Sequence, residues 1–276
     1  MKVGIIGLGL MGGSFALALR DRYDNLEILG YDHNDQHGIE ALELGLVDKV
    51  TDDLEDFETL DLIVLAIPVN GILSVLPRLS SVSEETTIID FGSTKKMIVD
   101  SVPPEIRRNF VAAHPMTGTE KSGPAAAQPD LYRGKVVVLC NLEESGEIQR
   151  RLAKKIFSDL GMKIFYMDAA EHDRHAAFIS HMPHALSYSL ANAVMKQENP
   201  KAIIALAGGG FRDMSRIAKS SPDMWTDVFR QNKENLLQAI ACFKGELERC
   251  ERMIETEEWE ALHQWMEKAN GLHEIL

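Results

Sequence analysis

The chain has little cysteine. Cys140, Cys242 and Cys250 are odd in number and show no CxxC spacing, which excludes a disulfide framework and a zinc ribbon. They read as reduced thiols, so the expected location is the cytoplasm. Long apolar runs are absent too: none approaches the ~20 residues that span a bilayer. The opening Met1-Lys2-Val3-Gly4-Ile5 runs straight into a core strand, so it is not expected to be a cleavable leader. Cations are also short, with 29 Lys and Arg against 42 Asp and Glu for a formal charge of −13. Counterion release needs clustered Lys and Arg, so this balance excludes a general nucleic-acid binder. An anionic ligand would have to be captured by a few local cations.

What is present is apolar patterning over 276 residues, 45% of them hydrophobic, enough for two domains. Up to Met167 the chain alternates short β-type runs with amphipathic stretches. Strands are expected at 2–6, 27–31, 62–67, 86–90, 110–113, 135–140 and 163–166. The run Leu62-Ile63-Val64-Leu65-Ala66-Ile67 is apolar throughout, as suits a parallel strand covered on both faces. Alternating β and α elements imply an α/β fold of the doubly wound Rossmann type over 1–167.

From Asp168 to the end, 168–276, only helical patterns remain, giving an all-α second domain. Ser221-Pro222-Asp223 reads as an N-cap followed by proline at the first helical position. Residues 246–267 carry Leu247, Met253, Ile254, Trp259, Leu262 and Trp265 at helical spacings. That face either packs on its own domain or forms a dimer interface.

Gly7-Leu8-Gly9-Leu10-Met11-Gly12 follows an apolar strand and opens an apolar helix. Gly7 allows the tight turn, Gly9 lets the backbone approach a pyrophosphate, and Gly12 lets helix and strand pack closely. Asp32 ends the next strand, 20 residues beyond Gly12, where an acid accepts hydrogen bonds from ribose hydroxyls. An acid there repels a 2′-phosphate, so the expected cofactor is NAD, with His33 softening the preference slightly. Ala66-Ile67-Pro68-Val69-Asn70 leaves its strand at the carboxyl end; Pro68 either lines the nicotinamide side or simply terminates the strand.

Two further strand ends are polar: Asp90-Phe91-Gly92-Ser93-Thr94-Lys95, and His114-Pro115 running on to Gly123. Removing hydride from an alcohol requires a group that accepts the hydroxyl proton, and neutral imidazole titrates near working pH. His114 is the candidate, with Ser93 bonded to the same hydroxyl. In the helical half, Ser180-His181-Met182-Pro183-His184 puts two histidines at i and i+3, and Pro183 should kink the helix nearby. Gly208-Gly209-Gly210 is an expensive way to end a helix unless backbone must come close to something. Arg216 can grip a carboxylate with two parallel hydrogen bonds. His172 and His175 read as surface residues on a charged helical start. Together with His181 and His184 they share no single stripe, so no metal site is expected.

These motifs in order resemble the prephenate dehydrogenase family over nearly the whole chain. They comprise the glycine turn with Asp32, Gly92-Ser93-Thr94-Lys95, His114-Pro115 with Gly118 to Gly123, Ser180 to His184, and Gly208 to Asp213 with Arg216 and Trp225. The resemblance implies a Rossmann domain followed by a helical dimerisation domain, and a homodimer formed through the latter. It implies NAD-dependent oxidative decarboxylation of prephenate in tyrosine synthesis, or of arogenate as the alternative substrate. By that resemblance His114 is the catalytic histidine with Ser93 beside it, and Arg216 binds a substrate carboxylate. His184, Thr119, Glu120 and Gly209 contact substrate, with His181 as a neighbour of His184. Gly7, Gly9, Leu10, Met11, Gly12 and Asp32 are the residues expected to hold the dinucleotide, with Pro68 as the candidate on its nicotinamide side. Glu120, Arg212 and Asp213 form a charged gate, and Trp225 lines the same junction. No fused mutase is expected ahead of the first strand, and no regulatory domain after Trp265, so tyrosine inhibition would act at the active site.

Two rivals remain. A β-hydroxy-acid dehydrogenase would rely on a lysine of the helical half, but Lys196, Lys201 and Lys219 sit in no distinctive motif. A non-catalytic nicotinamide sensor would not need Ser93, His114, His184 and Arg216 together.

Overall fold

The computed structural model describes residues 1–274, and among them eight strands form one sheet. They are β1 (Lys2–Ile6), β2 (Glu27–Tyr31), β3 (Lys49–Val50), β4 (Leu62–Leu65), β5 (Thr87–Asp90), β6 (Phe110–Pro115), β7 (Val136–Cys140) and β8 (Lys163–Met167). The spatial order is β3-β2-β1-β4-β5-β6-β7-β8, parallel at every neighbouring pair except β6 and β7. The antiparallel pair has a direct cause. No α-helix lies between β6 and β7, only a loop with a short turn at Pro124–Ala126, so the chain has no crossover to carry it back to the other end. The seven expected strands are present. β3 was not expected, because Lys49-Val50 is two exposed residues with no apolar pattern to read.

Successive side chains on a strand point to opposite faces, and the core divides accordingly. Val3, Ile5, Leu62, Val64, Ile89 and Val111 pack on one side with Phe15, Leu19 and Phe157. Ile6, Ile63, Leu65, Ile88, Phe110 and Ala112 pack on the other with Ile72, Leu76 and Ile98. Helices α1 (Leu10–Arg20), α2 (Asp35–Glu43), α3 (Val69–Val75), α4 (Lys96–Asp100) and α5 (Glu147–Asp159) connect the strands. β1 is flanked by β2 on one side and β4 on the other, so the chain reverses its progress across the sheet there. The glycine turn leaves the carboxyl end of β1 at this switch point, where open α/β sheets bind ligands.

β8 ends at Met167, and Asp168 caps α6 (Ala169–Ala176) by accepting from the Glu171 amide at 2.7 Å. One π-helical turn, Ala177–His181, joins α6 to α7 (Met182–Met195). It ends two residues before Pro183, whose ring would clash with the carbonyl four residues back in a regular helix; the widened turn is the form the expected kink takes. Then come α8 (Pro200–Ala205), α9 (Gly209–Ser215), α10 (Pro222–Gln231), α11 (Lys233–Glu255) and α12 (Trp259–Asn270). Ser221 caps α10 with Pro222 at its first position, as the sequence indicates.

Two expectations are corrected. The triple glycine does not end a helix. Gly208 caps the start of α9 in an extended conformation, and a side chain at Gly208, Gly209 or Gly210 would meet nothing within 4 Å. The segment 246–267 is not one helix. It breaks where Glu257 takes a left-handed φ of 54°, and within this hairpin Trp265 Nε1 donates back to Glu246 Oε2 at 2.7 Å.

By contacts the chain divides into two compact units, 1–232 and 233 onward. No helix among the described residues is long and apolar enough to cross a membrane.

Candidate active site

The first half of the site is the cradle after β1. Gly7 has a φ of +98°, and a Cβ there would lie 2.4 Å from the Ala66 carbonyl oxygen. A Cβ on Gly12 would lie 1.9 Å from the Gly7 carbonyl oxygen, so helix and strand close only on glycine. A Cβ on Gly9 would have no neighbour nearer than the Gly123 nitrogen at 3.9 Å. Nothing in the protein requires glycine at that position, and the space it leaves faces the N-terminus of α1. Leu10 and Met11 form the first turn of that helix, and the Met11 carbonyl accepts from the Tyr132 hydroxyl at 2.7 Å.

Asp32 follows β2 with its side chain only 6% exposed. Its Oδ2 accepts from the Leu8 amide at 2.9 Å and its Oδ1 from the Asn34 amide at 3.0 Å. The carboxylate is thereby fixed beside the glycine turn. His33 and His37 approach Oδ1 at 3.3 and 3.4 Å. The residues present fit a dinucleotide: a helix N-terminus with an unfilled gap at Gly9, and an anchored acid one strand away. Pro68 is exposed and caps α3 at the carboxyl end of β4.

The second half is built on the ends of β5 and β6. Asp90 is fully buried; it accepts from the Ala113 and Gly92 amides at 3.1 Å each and pairs with Lys95. The Lys95 ammonium also donates to the Ala113 carbonyl at 2.8 Å. Burial pushes the Asp90 carboxyl up, against the opposing pull of Lys95 and the two amides. This ion pair clamps the strand end that carries His114.

His114 is 9% exposed, and its Nδ1 lies 2.8 Å from His172 Nε2. His172 Nδ1 lies in turn 2.9 Å from Asp173 Oδ1. Burial depresses the His114 pKa well below the ordinary value, helped by the neighbouring His172, Lys95 and His181. Its Nε2 makes no hydrogen bond among the described residues and is not sealed from solvent. Asp173 Oδ1 also accepts from the Lys95 amide at 2.8 Å, and Oδ2 from the Lys96 amide at 2.9 Å, capping α4. Burial alone would raise the Asp173 carboxyl, but the His172 bond and those amides hold it below its ordinary range.

The sequence places His172 on the surface; this is corrected, because it is 2% exposed and in contact with the candidate base. The buried positions of α6 and the following turn, Ala169, His172, Asp173, Ala176 and Ala177, fall at i, i+3, i+4, i+7 and i+8. That is a core stripe. With alanine as its only apolar member it carries a weak hydrophobic signal, and the two polar members looked like solvent-facing charge.

His181 and His184 both face Trp225. The His184 ring stacks on the indole at 3.5 Å between centroids, and His181 meets it edge-on at 6.0 Å. His184 Nδ1 donates to the Ser180 carbonyl at 2.9 Å, so its Nε2 carries the lone pair. Burial lowers its pKa, with the charge of Arg216 adding to the shift. His181 is fully buried; Asn232 Nδ2 donates to its Nδ1 at 3.0 Å and to the Asp173 carbonyl at 2.7 Å. Burial brings its pKa down to about 4. Ser93 lies half-buried in the loop after β5, with its carbonyl toward His181 and no bond to His114. Arg216 is exposed and pairs with Glu120 at 3.3 Å. Thr119 is exposed beside Glu120, its Oγ1 accepting from the Lys121 amide at 3.2 Å. Gly209 is exposed in the first turn of α9. Among the described residues no three His, Cys, Asp or Glu side chains are grouped to hold a metal ion.

The arrangement is thus a dinucleotide cradle at the switch point and a chain of hydrogen-bonded imidazoles at the neighbouring strand ends, with a guanidinium near His184. Residues 15–166 match the family model described as "Prephenate dehydrogenase, nucleotide-binding domain". Residues 168–268 match "Prephenate dehydrogenase, dimerization domain". The chain is 33% identical over 278 residues to the prephenate dehydrogenase of Bacillus subtilis (strain 168), covering 99% of this chain and 75% of that protein. The crystal structure of prephenate dehydrogenase from A. aeolicus in complex with hydroxyphenyl propionate and NAD+ superimposes with a TM-score of 0.93. It shares 35% identity, over 100% of this chain and 98% of that one. Synechocystis arogenate dehydrogenase is similar with a TM-score of 0.82 and 29% identity, over 99% of each chain.

Proposed function

Because this chain belongs to the prephenate dehydrogenase family, we propose that it catalyses the NAD-dependent oxidative decarboxylation of prephenate to 4-hydroxyphenylpyruvate. The observation that carries this reading is the buried, neutral His114 at the end of β6, with a free Nε2. NAD+, when bound, supplies the acceptor for hydride from C4 of the substrate ring. Gly9 and the amides of the first turn of α1 hold its pyrophosphate, and Asp32 its adenosine ribose. His114 receives the C4 hydroxyl proton, with Ser93 oriented on the same hydroxyl. As the C4 carbonyl forms it draws electrons from the breaking C1–carboxylate bond; CO2 leaves and the ring becomes aromatic. Aromatisation makes the sequence effectively irreversible, so the protein has only to bind, orient and move one proton.

Arg216 and His184 engage the substrate away from C4, with Thr119, Glu120 and Gly209 forming the rim. An anion arriving at Arg216 has to displace Glu120. The likeness to the Synechocystis protein favours a second reading, in which arogenate is the substrate and tyrosine the direct product. Absorbance of NADH at steady state, with prephenate and arogenate each tested against NAD and NADP, decides between them. No turnover of either would overturn the assignment.

We also assign the functional boundary to Asp168 and a homodimer to the helical part. The exposed Ile203, Ile204, Leu206 and Met214 on α8, its C-cap and α9 support the second point; Leu206 is 88% exposed. The free thiols of Cys140, Cys242 and Cys250 suit the cytoplasm.

A further inference from the structure

His114 can accept a proton at Nε2 only if its own proton is on Nδ1, and the chain of hydrogen bonds behind it determines which nitrogen that is. Asp173 is an anion held by the Lys95 and Lys96 amides, and a carboxylate only accepts. His172 must therefore carry its proton on Nδ1, 2.9 Å from Asp173 Oδ1. A neutral His172 has one donor and one acceptor, so with its proton on Nδ1 its Nε2 is a lone pair. The atom 2.8 Å from it, His114 Nδ1, must then be the donor. A free imidazole side chain favours the opposite tautomer, with the proton on Nε2, which could not act as a base there.

We propose that His172, oriented by Asp173, is a positioning residue that holds His114 as its Nδ1–H tautomer, leaving Nε2 as the lone pair for the substrate hydroxyl. The inference rests on the reading of His114 as the base. In the step itself the hydroxyl proton bonds to His114 Nε2, and the O–H electron pair becomes the second bond of the C4 carbonyl. The C–H pair leaves as hydride to the oxidised nicotinamide. The positive charge then on His114 is stabilised by its hydrogen bond to His172 Nε2 and by the Asp173 carboxylate beyond that ring. It is the logic by which a buried aspartate sets the tautomer of a catalytic histidine in serine proteases, with a second imidazole interposed.

The geometry explains why this pair is so tightly held. Asp173 spends both oxygens on the start of α4, and its carbonyl receives Asn232. His172 is wedged between that carboxylate and β6. The groups facing the two rings are Lys95 and Asp90 from the β5 end, His181 from the π turn, and Asp173 itself. None of the others offers His114 Nδ1 a hydrogen bond.

The test has two readouts. Long-range proton–nitrogen correlation spectra of the uniformly 15N-labelled full chain report each histidine's tautomer without substrate or cofactor. Both His114 and His172 are expected as Nδ1–H at neutral pH, and a wild-type His114 found as Nε2–H overturns the proposal. Steady-state kinetics then compare His172→Leu with His172→Gln. Leucine removes the acceptor, and kcat should fall about 10²-fold with the KM for NAD unchanged. Glutamine can present its carbonyl to His114 Nδ1 and should recover much of that loss. Wild-type kcat in His172→Leu overturns the proposal, as does an equal loss in both variants. If wild type shows the expected tautomers but turns over neither prephenate nor arogenate, the functional reading fails and the tautomer assignment stands.

Discussion

Arg216 Nη1 lies 3.3 Å from Glu120 Oε2, so the guanidinium expected to receive a substrate carboxylate is already occupied. The pair is exposed, with Arg216 at 56% and Glu120 at 31% of their side-chain surface. An exposed ion pair is weak, but substrate has to displace it. Glu120→Gln should therefore lower the KM for prephenate by up to ~5-fold with kcat unchanged. Arg216→Ala removes a charge-assisted contact of ~1.5–3 kcal/mol and should raise KM about 10- to 100-fold. Steady-state kinetics on both variants check the pair. A tenfold higher KM in Glu120→Gln would show that Glu120 binds substrate directly and does not compete with it.

His114→Asn keeps a polar side chain on β6 but cannot accept a proton. The expected result is a fall in kcat of about 10²–10⁴-fold with KM nearly constant, because the lost interaction exists only as the hydroxyl ionises. Burial keeps the imidazole of wild type neutral well below its ordinary pKa, so activity should be retained in mildly acidic buffer. A kcat limb near the ordinary histidine value that vanishes in His114→Asn would contradict that depression.

The same burial makes stability depend on pH. His181 is neutral in the fold, with a pKa of about 4, whereas an unfolded histidine titrates near ~6.5. Between those values the unfolded chain binds the extra proton, so stability falls as pH drops and is fully present above the unfolded value. His114 acts in the same direction. Asp173, held below the ordinary carboxylate range, loses its contribution only at lower pH, and Asp90, pushed up by burial, works the opposite way. Comparing wild type with His181→Gln isolates the His181 share. Wild type should lose about 2 kcal/mol more between pH 7.5 and pH 5.0, measured by urea unfolding. Equal losses in the two proteins would rule it out.

What could be read from the residues followed the strength of their periodic signal. The continuous apolar runs of β1, β4 and β5 and the glycine turn announce themselves, since each is short, dense and bounded by polar strand ends. His114 was legible for the same reason, as the polar residue at which an apolar strand stops. The residues behind it were not. His172 and Asp173 lie on a stripe otherwise made of alanine, and Asp90 and Lys95 bury a charge pair that composition assigns to the surface. Such residues become interpretable only when distant segments meet: Asp173 caps α4 from 77 residues away in sequence. The break at Glu257 escaped for a different reason. Helical spacing persists on both sides of it, and the left-handed turn falls on a residue type that seldom adopts one.

The two glycines of the cradle separate folding from binding. At Gly12 an added Cβ would lie 1.9 Å from the Gly7 carbonyl, a backbone atom that cannot step aside without moving β1 from α1. Gly12→Ala should therefore lower the melting temperature of the free protein as well as abolish NAD binding. At Gly9 the same methyl meets nothing nearer than 3.9 Å, so Gly9→Ala should melt like wild type. Yet that methyl would fill the gap left for the pyrophosphate, and the Kd for NAD should rise at least about tenfold, the effect of ~1.4 kcal/mol. Calorimetric titration with NAD and thermal melts of both variants read the two effects separately. A Gly9→Ala protein that binds NAD normally would mean that the pyrophosphate lies elsewhere than the start of α1.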